Sequence, residues 1–515
     1  MIQSRESSIL PWKVLIGCLI LCAVIFRIML MNKWLIHSVD DDQALMWNAT
    51  AAYAHFMFPE PCFWGQAYGI MLEAILAVPL YWLNVPLNIA LPTATIIIGA
   101  AAYLYVSFLL VKEGHVKTAC VVMASYLLMS WRWDVLTSVP RCYISGMSLA
   151  VLGSIRLNNG KTKHSAFYGA FLCVLSVIMT STAAAVVGIG YLYYALRIKN
   201  EFKRTPAVAG GTAAGMLLYI LVKNFYVINA EYNLHPSPEL DISRTILINN
   251  LHRLPGILSD FIFFNNGWVV LLLFAAVFIY AFITKRWKML ALLLFDAFLM
   301  FFLLGLRKTT DYIDRSVTFS QTRMFLCWSY SLLPIAYFWA NEEKPERAVF
   351  SARVRSFFEK PLVQAAAGTV LLLIVIGANL AKLNMLEKDI LSPESGLRKE
   401  YPNCIYTTEE IVTECKRADE QAALAGADTV ITGDRRALTY AFDALYFGKY
   451  TVYNCIYDRR TWNYTAMLER SDRNCLFVSG TCHEPINYKI IIFSEEDEYT
   501  PVQYFEKEYG YRRRP

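Results

Sequence analysis

Long apolar stretches recur along the first three quarters of this chain and constrain its fold more than any other feature. A helix needs about 20 apolar residues to cross the hydrocarbon core of a bilayer. Stretches close to that length lie at 14–31, 88–111, 117–131, 141–157, 165–181, 182–198, 207–227, 268–284, 288–306, 321–340 and 362–382. A shorter apolar segment, 67–84, carries Glu73. The sequence therefore predicts a mainly α fold, a polytopic transmembrane helix bundle of about 11–13 helices.

Composition agrees with a membrane protein and excludes other classes. Of the 515 residues, 56% are hydrophobic and only 17% are charged, well below the charged fraction of a soluble enzyme. The formal net charge of +6 is too small to indicate a nucleic-acid partner. The bilayer itself is the first predicted partner.

Basic loops predict the orientation, because Lys and Arg stay on the cytoplasmic side of a membrane. These loops lie at 112–117, 156–163, 197–204, 285–288 and 344–360. If they face the cytoplasm together with the N-terminus, the outer connections are 32–66, 131–141, 228–267, 307–320 and the tail. The stretch 14–31 reads as a retained anchor, because no small-residue cleavage site follows it. We expect a multi-pass protein of the cell membrane with its C-terminal domain outside the cytoplasm.

The tail from about residue 384 differs from the rest of the chain. Charged residues return, and short apolar alternations typical of strands are separated by helical patterns. The sequence predicts two domains, a transmembrane module over 1–383 and an extracytoplasmic α/β domain over 384–515.

The outer loop 32–66 is the candidate catalytic loop. Asp40, Asp41 and Asp42 follow the first apolar stretch directly, and clustering raises the pKa of at least one of them unless a cation neutralises it. One of these carboxylates is a candidate general base, and Asp41 and Asp42 are also candidate ligands of a divalent cation such as Mg²⁺ or Mn²⁺. The structural alternative is a solvated acidic turn that caps the next helix.

The same loop continues into a run that offers hydrogen bonds at a glycine-rich turn. Gln66 and Tyr68 supply polar groups, and Glu73 enters an apolar helix, where it must be neutral, paired or facing a cavity. Arg141, in the outer loop 131–141, is a further candidate for substrate binding.

Together these features resemble the GT-C class of membrane glycosyltransferases, and more narrowly the prokaryotic branch related to protein O-mannosyltransferases and the aminoarabinose transferase. Asp40-Asp41 or Asp41-Asp42 matches the acidic pair that such proteins carry in the first outer loop. The runs 64–69 and 72–74 are similar to a Gly-Gln-x-Tyr run of one branch, with altered glycine spacing.

The resemblance implies an enzyme that moves a sugar from a polyprenyl-phosphate donor to a hydroxyl acceptor on a protein, lipid or glycan of the cell envelope, with inversion. It covers roughly 10–340. Donor phosphate needs cations, and Arg307, Lys308, Arg315 and Arg323 are the candidates on the outer face. Segment 228–267 is a candidate flap over the donor.

Two other functions fit a bundle of this kind. A transporter or flippase for a lipid-linked substrate would carry charged residues along the bundle interior, and a polysaccharide polymerase or ligase would place its arginines in late outer loops. The polymerase or ligase would not require an acidic first loop.

Overall fold

The protein is described from a computed structural model. It describes residues 2–159, 162–234, 241–259, 261–263, 266–306, 324–342, 360–389, 405–433, 436–454, 459–460, 474–479 and 487–492. The described chain is mainly helical, as the sequence predicts.

Each predicted apolar stretch overlaps a helix. The helices of this part are α1 (Ile2–Leu30), α3 (Leu72–Trp82), α4 (Leu87–Lys112), α5 (Val116–Leu127), α7 (Ile144–Asn159), α8 (Lys163–Met179), α9 (Ala184–Leu196), α11 (Thr205–Ile228), α14 (Gly267–Ile283), α15 (Trp287–Leu304), α16 (Leu326–Asn341) and α17 (Pro361–Asp389). A π-helical turn, Met31–Leu35, extends α1. Shorter helices lie between them: α2 (Asp41–Ala54), α6 (Trp131–Leu136), α10 (Ile198–Glu201), α12 (Arg244–His252) and α13 (Leu254–Ser259).

Within the described ranges, five helices are long and apolar enough to cross a membrane. They are Pro11–Leu35, Leu87–Lys112, Phe202–Ile228, Trp287–Leu304 and Pro361–Met385. Other apolar helices are shorter, among them α3, α5, α8 and α14. The chain is therefore compatible with a helical protein embedded in a membrane.

Contacts between helix ends bring three of the predicted basic loops, 112–117, 156–163 and 285–288, to one end of the bundle. Glu113, at the end of α4, accepts hydrogen bonds from Asn159 (3.2 Å), Tyr337 (2.6 Å) and Asn341 (2.7 Å). Arg286 donates to the Trp339 carbonyl (3.0 Å) and so joins the start of α15 to the end of α16. We call this the basic end.

The N-terminal part of α1 belongs to the basic end as well. Trp12 donates to Gln364 at the start of α17 (3.0 Å), and the Lys117 ammonium lies 5.6 Å from the Trp12 ring. Both α1 and α17 run from here to the opposite end, which we call the acidic end because Asp40, Asp41 and Asp42 lie there.

In the tail, the described residues form two further helices and five of the six strands. The strands are β2 (Ile405–Thr407), β3 (Thr429–Thr432), β4 (Thr451–Asn454), β5 (Asn474–Ser479) and β6 (Asn487–Ile492), and the helices are α18 (Thr408–Ala425) and α19 (Arg436–Leu445). Strands β3, β4 and β5 pair in parallel, and β6 pairs antiparallel with β5, in the order β4-β3-β5-β6.

Helix α18 has strong local signals at both ends. Thr407 and Glu410 form a reciprocal capping box at its start, which satisfies two backbone N–H groups. Gly426 ends it in the left-handed region, at φ +61°.

The tail packs directly on the segment that joins α1 to α2. Strand β2 pairs antiparallel with β1 (Ser38–Asp40), and the Thr408 amide donates to the His37 carbonyl (2.9 Å). Helices α2 and α19 lie against each other, and Leu45 shares one buried core with Leu438 and Phe442. The tail therefore covers the helix whose first turn carries the acidic residues.

Candidate active site

Asp40 is the N-cap of α2. Its Oδ1 accepts a hydrogen bond from the Gln43 amide (2.9 Å), and its Oδ2 accepts one from the Gln43 side chain (3.2 Å). Arg141 forms an ion pair with the same Oδ2, and both side chains are almost fully buried. The capping alternative is therefore correct for Asp40, but the turn is buried and ion-paired rather than solvated.

Asp41 and Asp42 occupy the first turn of α2 and pair with arginines of the tail. Asp41 Oδ2 lies 3.2 Å from Arg436 Nε. Asp42 Oδ1 accepts a hydrogen bond from Arg459 (2.8 Å), while its Oδ2 lies 3.9 Å from Arg141. The Asp41 and Asp42 side chains remain about one fifth exposed, at 21% and 19%.

Burial raises the pKa of Asp41 to about 6, and the neighbouring Asp42 carboxylate adds to the increase. The guanidinium groups of Arg436 and Arg459 oppose it. Asp41 is therefore ionised at neutral pH yet more basic than an ordinary aspartate, as a general base that works near pH 7 must be.

Glu60 fixes the loop that carries Gln66 and Tyr68. This buried carboxylate accepts hydrogen bonds from the Gly65 amide and from Tyr226 of α11, each at 3.0 Å. Gln66 and Tyr68 are half-buried in this loop. Burial raises the pKa of Glu60 to about 8.

Arg459 lies over the same loop. Its guanidinium is 5.4 Å from the Phe63 ring centre, and its amide donates to the Tyr440 hydroxyl (3.1 Å). Gly65 has φ +75°, and a Cβ there would lie 3.1 Å from Arg459 Cβ. The glycine thus permits both the turn and the close approach of the arginine.

Glu73, in the first turn of α3, is fully buried. Its polar neighbours are the Cys142 thiol and the Ser145 hydroxyl. Among the described residues, neither of its carboxylate oxygens makes a hydrogen bond of ordinary geometry. Cys142 follows Arg141 and interacts electrostatically with both Glu73 and Asp42, so this carboxyl group borders the acidic cluster. A ligand hydroxyl at this position would add a hydrogen bond to a carboxyl group that Cys142 and Ser145 already border.

The four donor-phosphate candidates lie outside the described residues. They are Arg307, Lys308, Arg315 and Arg323. The described part of segment 228–267 forms α12 and α13 and packs against α15, where Asn250 donates to the Leu304 carbonyl (2.8 Å).

Sequence reasoning missed the two arginines of the tail that reach the acidic cluster. Arg436 follows strand β3 and begins α19, and Arg459 follows β4, so both lie beyond the carboxyl ends of parallel strands. That edge is where α/β sheets usually bind ligands. The strand pattern was a usable signal, but the docking of this edge on α2 is not visible in the sequence.

The metal prediction remains untested. Within the described ranges, no three His, Cys, Asp or Glu side chains are arranged as ligands of one ion. The divalent cation at Asp41 and Asp42 therefore stays a prediction.

A large apolar groove of about 980 Å³ lies between α5, α14 and α16. It extends from Tyr280 and Trp339 near the basic end to Met129, Trp133 and Phe261. Its size is at the upper end of the range for small-molecule sites, and its lining suits a long hydrocarbon chain.

One short segment joins the groove to the acidic cluster. Trp133, in α6, lines the groove, and Arg141, eight positions later, pairs with Asp40. A chain of this length with part of it helical spans roughly 22 Å at most. The groove at Trp133 and the acidic cluster at Arg141 are thus separated by no more than about 22 Å.

The same segment is held by a buried ionic cluster. Asp134 accepts hydrogen bonds from Arg27 of α1 (2.9 Å) and Lys382 of α17 (2.5 Å). Lys382 also donates to the carbonyls of Leu127 and Met129 (2.8 and 3.1 Å), which uses all three of its protons. The cluster fixes α6 between two long helices.

No protein-family model matches the chain, and comparisons with curated proteins and with solved structures find no match either.

Proposed function

We propose that this chain is a membrane glycosyltransferase of the GT-C type, resembling the protein O-mannosyltransferase and aminoarabinose transferase branch. It transfers a sugar from a polyprenyl-phosphate donor to a hydroxyl acceptor at the outer face of the cell membrane. The observation that carries the proposal is that the acidic cluster Asp40–Asp42, bordered by the buried Glu73 carboxyl group, lies within about 22 Å of the end of an apolar groove.

The proposed donor uses both features. Its polyprenyl chain occupies the groove between α5, α14 and α16, and its sugar reaches the acidic cluster. Sugar hydroxyls donate to the buried oxygens of Glu73, with Gln66 and Tyr68 on the adjoining loop. Because the carboxyl oxygens of Glu73 are buried, they favour a ligand whose hydroxyl groups donate hydrogen bonds to them.

Asp41 is the best candidate for the base. It removes the proton of the acceptor hydroxyl, whose oxygen attacks the anomeric carbon from the side opposite the phosphate. The bond between that carbon and the phosphate oxygen breaks, and its electron pair leaves with polyprenyl phosphate. Asp42 lies beside it, and Asp40 holds the turn through Arg141.

The proposal includes an orientation. The basic end faces the cytoplasm, together with the N-terminus, and the chain crosses the membrane about 11–13 times. The acidic cluster and the tail then lie outside. Contacts such as Asn159–Glu113 and Tyr337–Glu113 support this orientation, because they bring the basic loops 112–117 and 156–163 and the end of α16 to one side.

A second candidate function is a transporter for a lipid-linked substrate, and one observation favours it. Asp296, inside the span Trp287–Leu304, is buried and accepts a hydrogen bond from Ser331. Carboxylates within spans often belong to ion or proton pathways. A transporter would move its substrate without breaking the bond between sugar and phosphate.

The experiment measures cleavage of the bond between sugar and phosphate by purified protein in lipid nanodiscs. A panel of polyprenyl-phosphate hexoses and pentoses is supplied with short-chain alcohols as acceptors, and free polyprenyl phosphate is measured by mass spectrometry. Wild-type protein should release it from at least one donor. Asp41→Asn should reduce release by about 10²–10⁴-fold, the usual contribution of a general base.

The matched control is Glu420→Gln, which removes an exposed carboxylate of α18. Its activity should equal that of the wild type. Full activity of Asp41→Asn would show that Asp41 is not the base.

A further inference from the structure

The tail contributes two arginines to the acidic cluster, and their position has a functional consequence. Arg436 approaches Asp41 from the start of α19, and Arg459 approaches Asp42 from the segment after β4. Both pairs join the tail to the first turn of α2.

Neither arginine pair is fully buried. Arg436 is 36% exposed and Arg459 is 13% exposed. By contrast, the Arg141–Asp40 pair is nearly inaccessible to solvent. A ligand that enters the site can therefore reach the two tail arginines, whereas Arg141 is committed to the capping residue.

Arg459 is held in place independently of Asp42. Its side chain packs on the Phe63 ring and on Gly65, and its amide is bound to Tyr440. If the Asp42 carboxylate were displaced, the guanidinium would stay near its present position. Phosphate and carboxylate groups bind guanidinium with similar two-point geometry, so a phosphate is a direct competitor for it.

We propose that Arg436 and Arg459 bind the donor phosphate by exchange, so that the phosphate displaces Asp41 and Asp42 from the two guanidinium groups. This inference rests on the proposed function and assigns to the tail a role in the site. Donor binding then frees the carboxylates at the moment when a base is needed.

The charge balance of the transfer agrees with such an exchange. The donor is a phosphodiester with one negative charge. When the bond to the sugar breaks, the phosphate takes the electron pair and becomes a monoester with a charge of about −1.5 to −2 at pH 7. Two guanidinium groups stabilise this additional charge as it develops. The proton of the acceptor goes to the freed carboxylate, which becomes more basic because its cationic neighbour has left.

The test measures binding of geranylgeranyl phosphate, a polyprenyl monophosphate without a sugar, to the full chain in nanodiscs by isothermal titration calorimetry. Geranylgeraniol reports the contribution of the lipid chain, and inorganic phosphate reports that of the phosphate alone. Arg459→Gln and Arg436→Gln should each weaken binding of geranylgeranyl phosphate by about tenfold to a hundredfold. Binding of geranylgeraniol should not change.

Removal of the Asp42 carboxylate, which competes with the phosphate for Arg459, should change the affinity in the opposite direction. Asp42→Asn should strengthen binding of geranylgeranyl phosphate by about threefold to tenfold, because Arg459 no longer has to be released. A purely structural ion pair would not produce this increase. Arg459→Lys keeps the positive charge and should lose less affinity than Arg459→Gln.

The matched control is Arg417→Gln, which breaks an exposed ion pair with Glu414 on α18 of the same tail. It should bind like the wild type. Thermal unfolding of every variant shows whether the tail is still folded.

Two results would overturn the inference. One is unchanged phosphate binding by Arg459→Gln and Arg436→Gln, and the other is weaker binding by a folded Asp42→Asn. Neither outcome depends on whether the proposed glycosyltransferase activity is correct. The binding measurements could follow the prediction while the transfer assay releases no polyprenyl phosphate. That result would contradict the glycosyltransferase proposal but would still support a phosphate site at Arg436 and Arg459.

Discussion

Arg459 donates a hydrogen bond of 2.8 Å to Asp42, although 417 positions separate the two residues in the sequence. The pair connects the tail to the first turn of α2. Together with the Arg436–Asp41 pair, it shows that the site contains carboxylates from the start of α2 and arginines from the tail.

The proposed base predicts a pH dependence. Asp41 acts only when ionised, and burial raises its pKa to about 6. Transfer should therefore rise as pH increases through about 6 and level off above about 7. The measurement is release of polyprenyl phosphate between pH 5 and pH 8 at donor concentrations well below saturation, where the rate reports the pKa of the donor-free protein. A rate that is flat across this range, with chemistry rate-limiting, would contradict the role of Asp41.

Glu60 predicts that stability depends on pH. Its folded-state pKa, about 8, lies above the ordinary value of 4.5, so the folded protein binds more protons than the unfolded chain between these values. The free energy of unfolding should therefore fall as pH rises from about 5 to about 8. Glu60→Gln should reduce this decrease, which thermal unfolding at pH 5.5 and pH 8 would measure. The exposed Glu231→Gln should keep the decrease of the wild type.

Asp134 predicts a strong energetic coupling between α1, α6 and α17. Asp134→Asn leaves the buried cations Arg27 and Lys382 without a counter-charge and should destabilise the protein by about 3–5 kcal/mol. Adding Lys382→Met removes one of those cations and should restore part of the loss. Thermal unfolding in detergent measures the coupling. If the two substitutions simply add, the cluster does not act as described.

The groove predicts that a bulky side chain will exclude the lipid. Ala336, on α16, lines it, and Ala336→Trp should reduce the amount of bound geranylgeraniol by severalfold. Ala366→Trp, on the exposed surface of α17, is the control of equal size and should have no effect. Native mass spectrometry would count bound lipid in both variants. Equal occupancy in Ala336→Trp and the wild type would show that the chain binds elsewhere.

The sequence allowed the helices to be predicted well because each depends on local composition. The stretch 88–111 became Leu87–Lys112, and 268–284 became Gly267–Ile283. Asp40–Asp42 were identified as a cluster since they are adjacent in the chain. The capping role of Asp40 was also foreseen as an alternative.

The partners of the cluster could not be predicted, because they depend on long-range docking. Arg436 and Arg459 reach Asp41 and Asp42 only after β2 pairs with β1 and α19 packs on α2. No local pattern encodes that contact. For the same reason, the sequence indicated Arg307, Lys308, Arg315 and Arg323 of a late loop rather than the tail arginines. Those four residues remain candidates and lie outside the described residues.

The most direct test of the central claim is the profile of polyprenyl-linked sugars in cells that lack the gene. Extracts are analysed by mass spectrometry after complementation with the wild type, Asp41→Asn or Glu420→Gln. One polyprenyl-phosphate sugar should accumulate in the deletion strain and with Asp41→Asn, and should return to its normal level with the wild type and with Glu420→Gln. An identical lipid-linked sugar profile in all four strains would contradict the account.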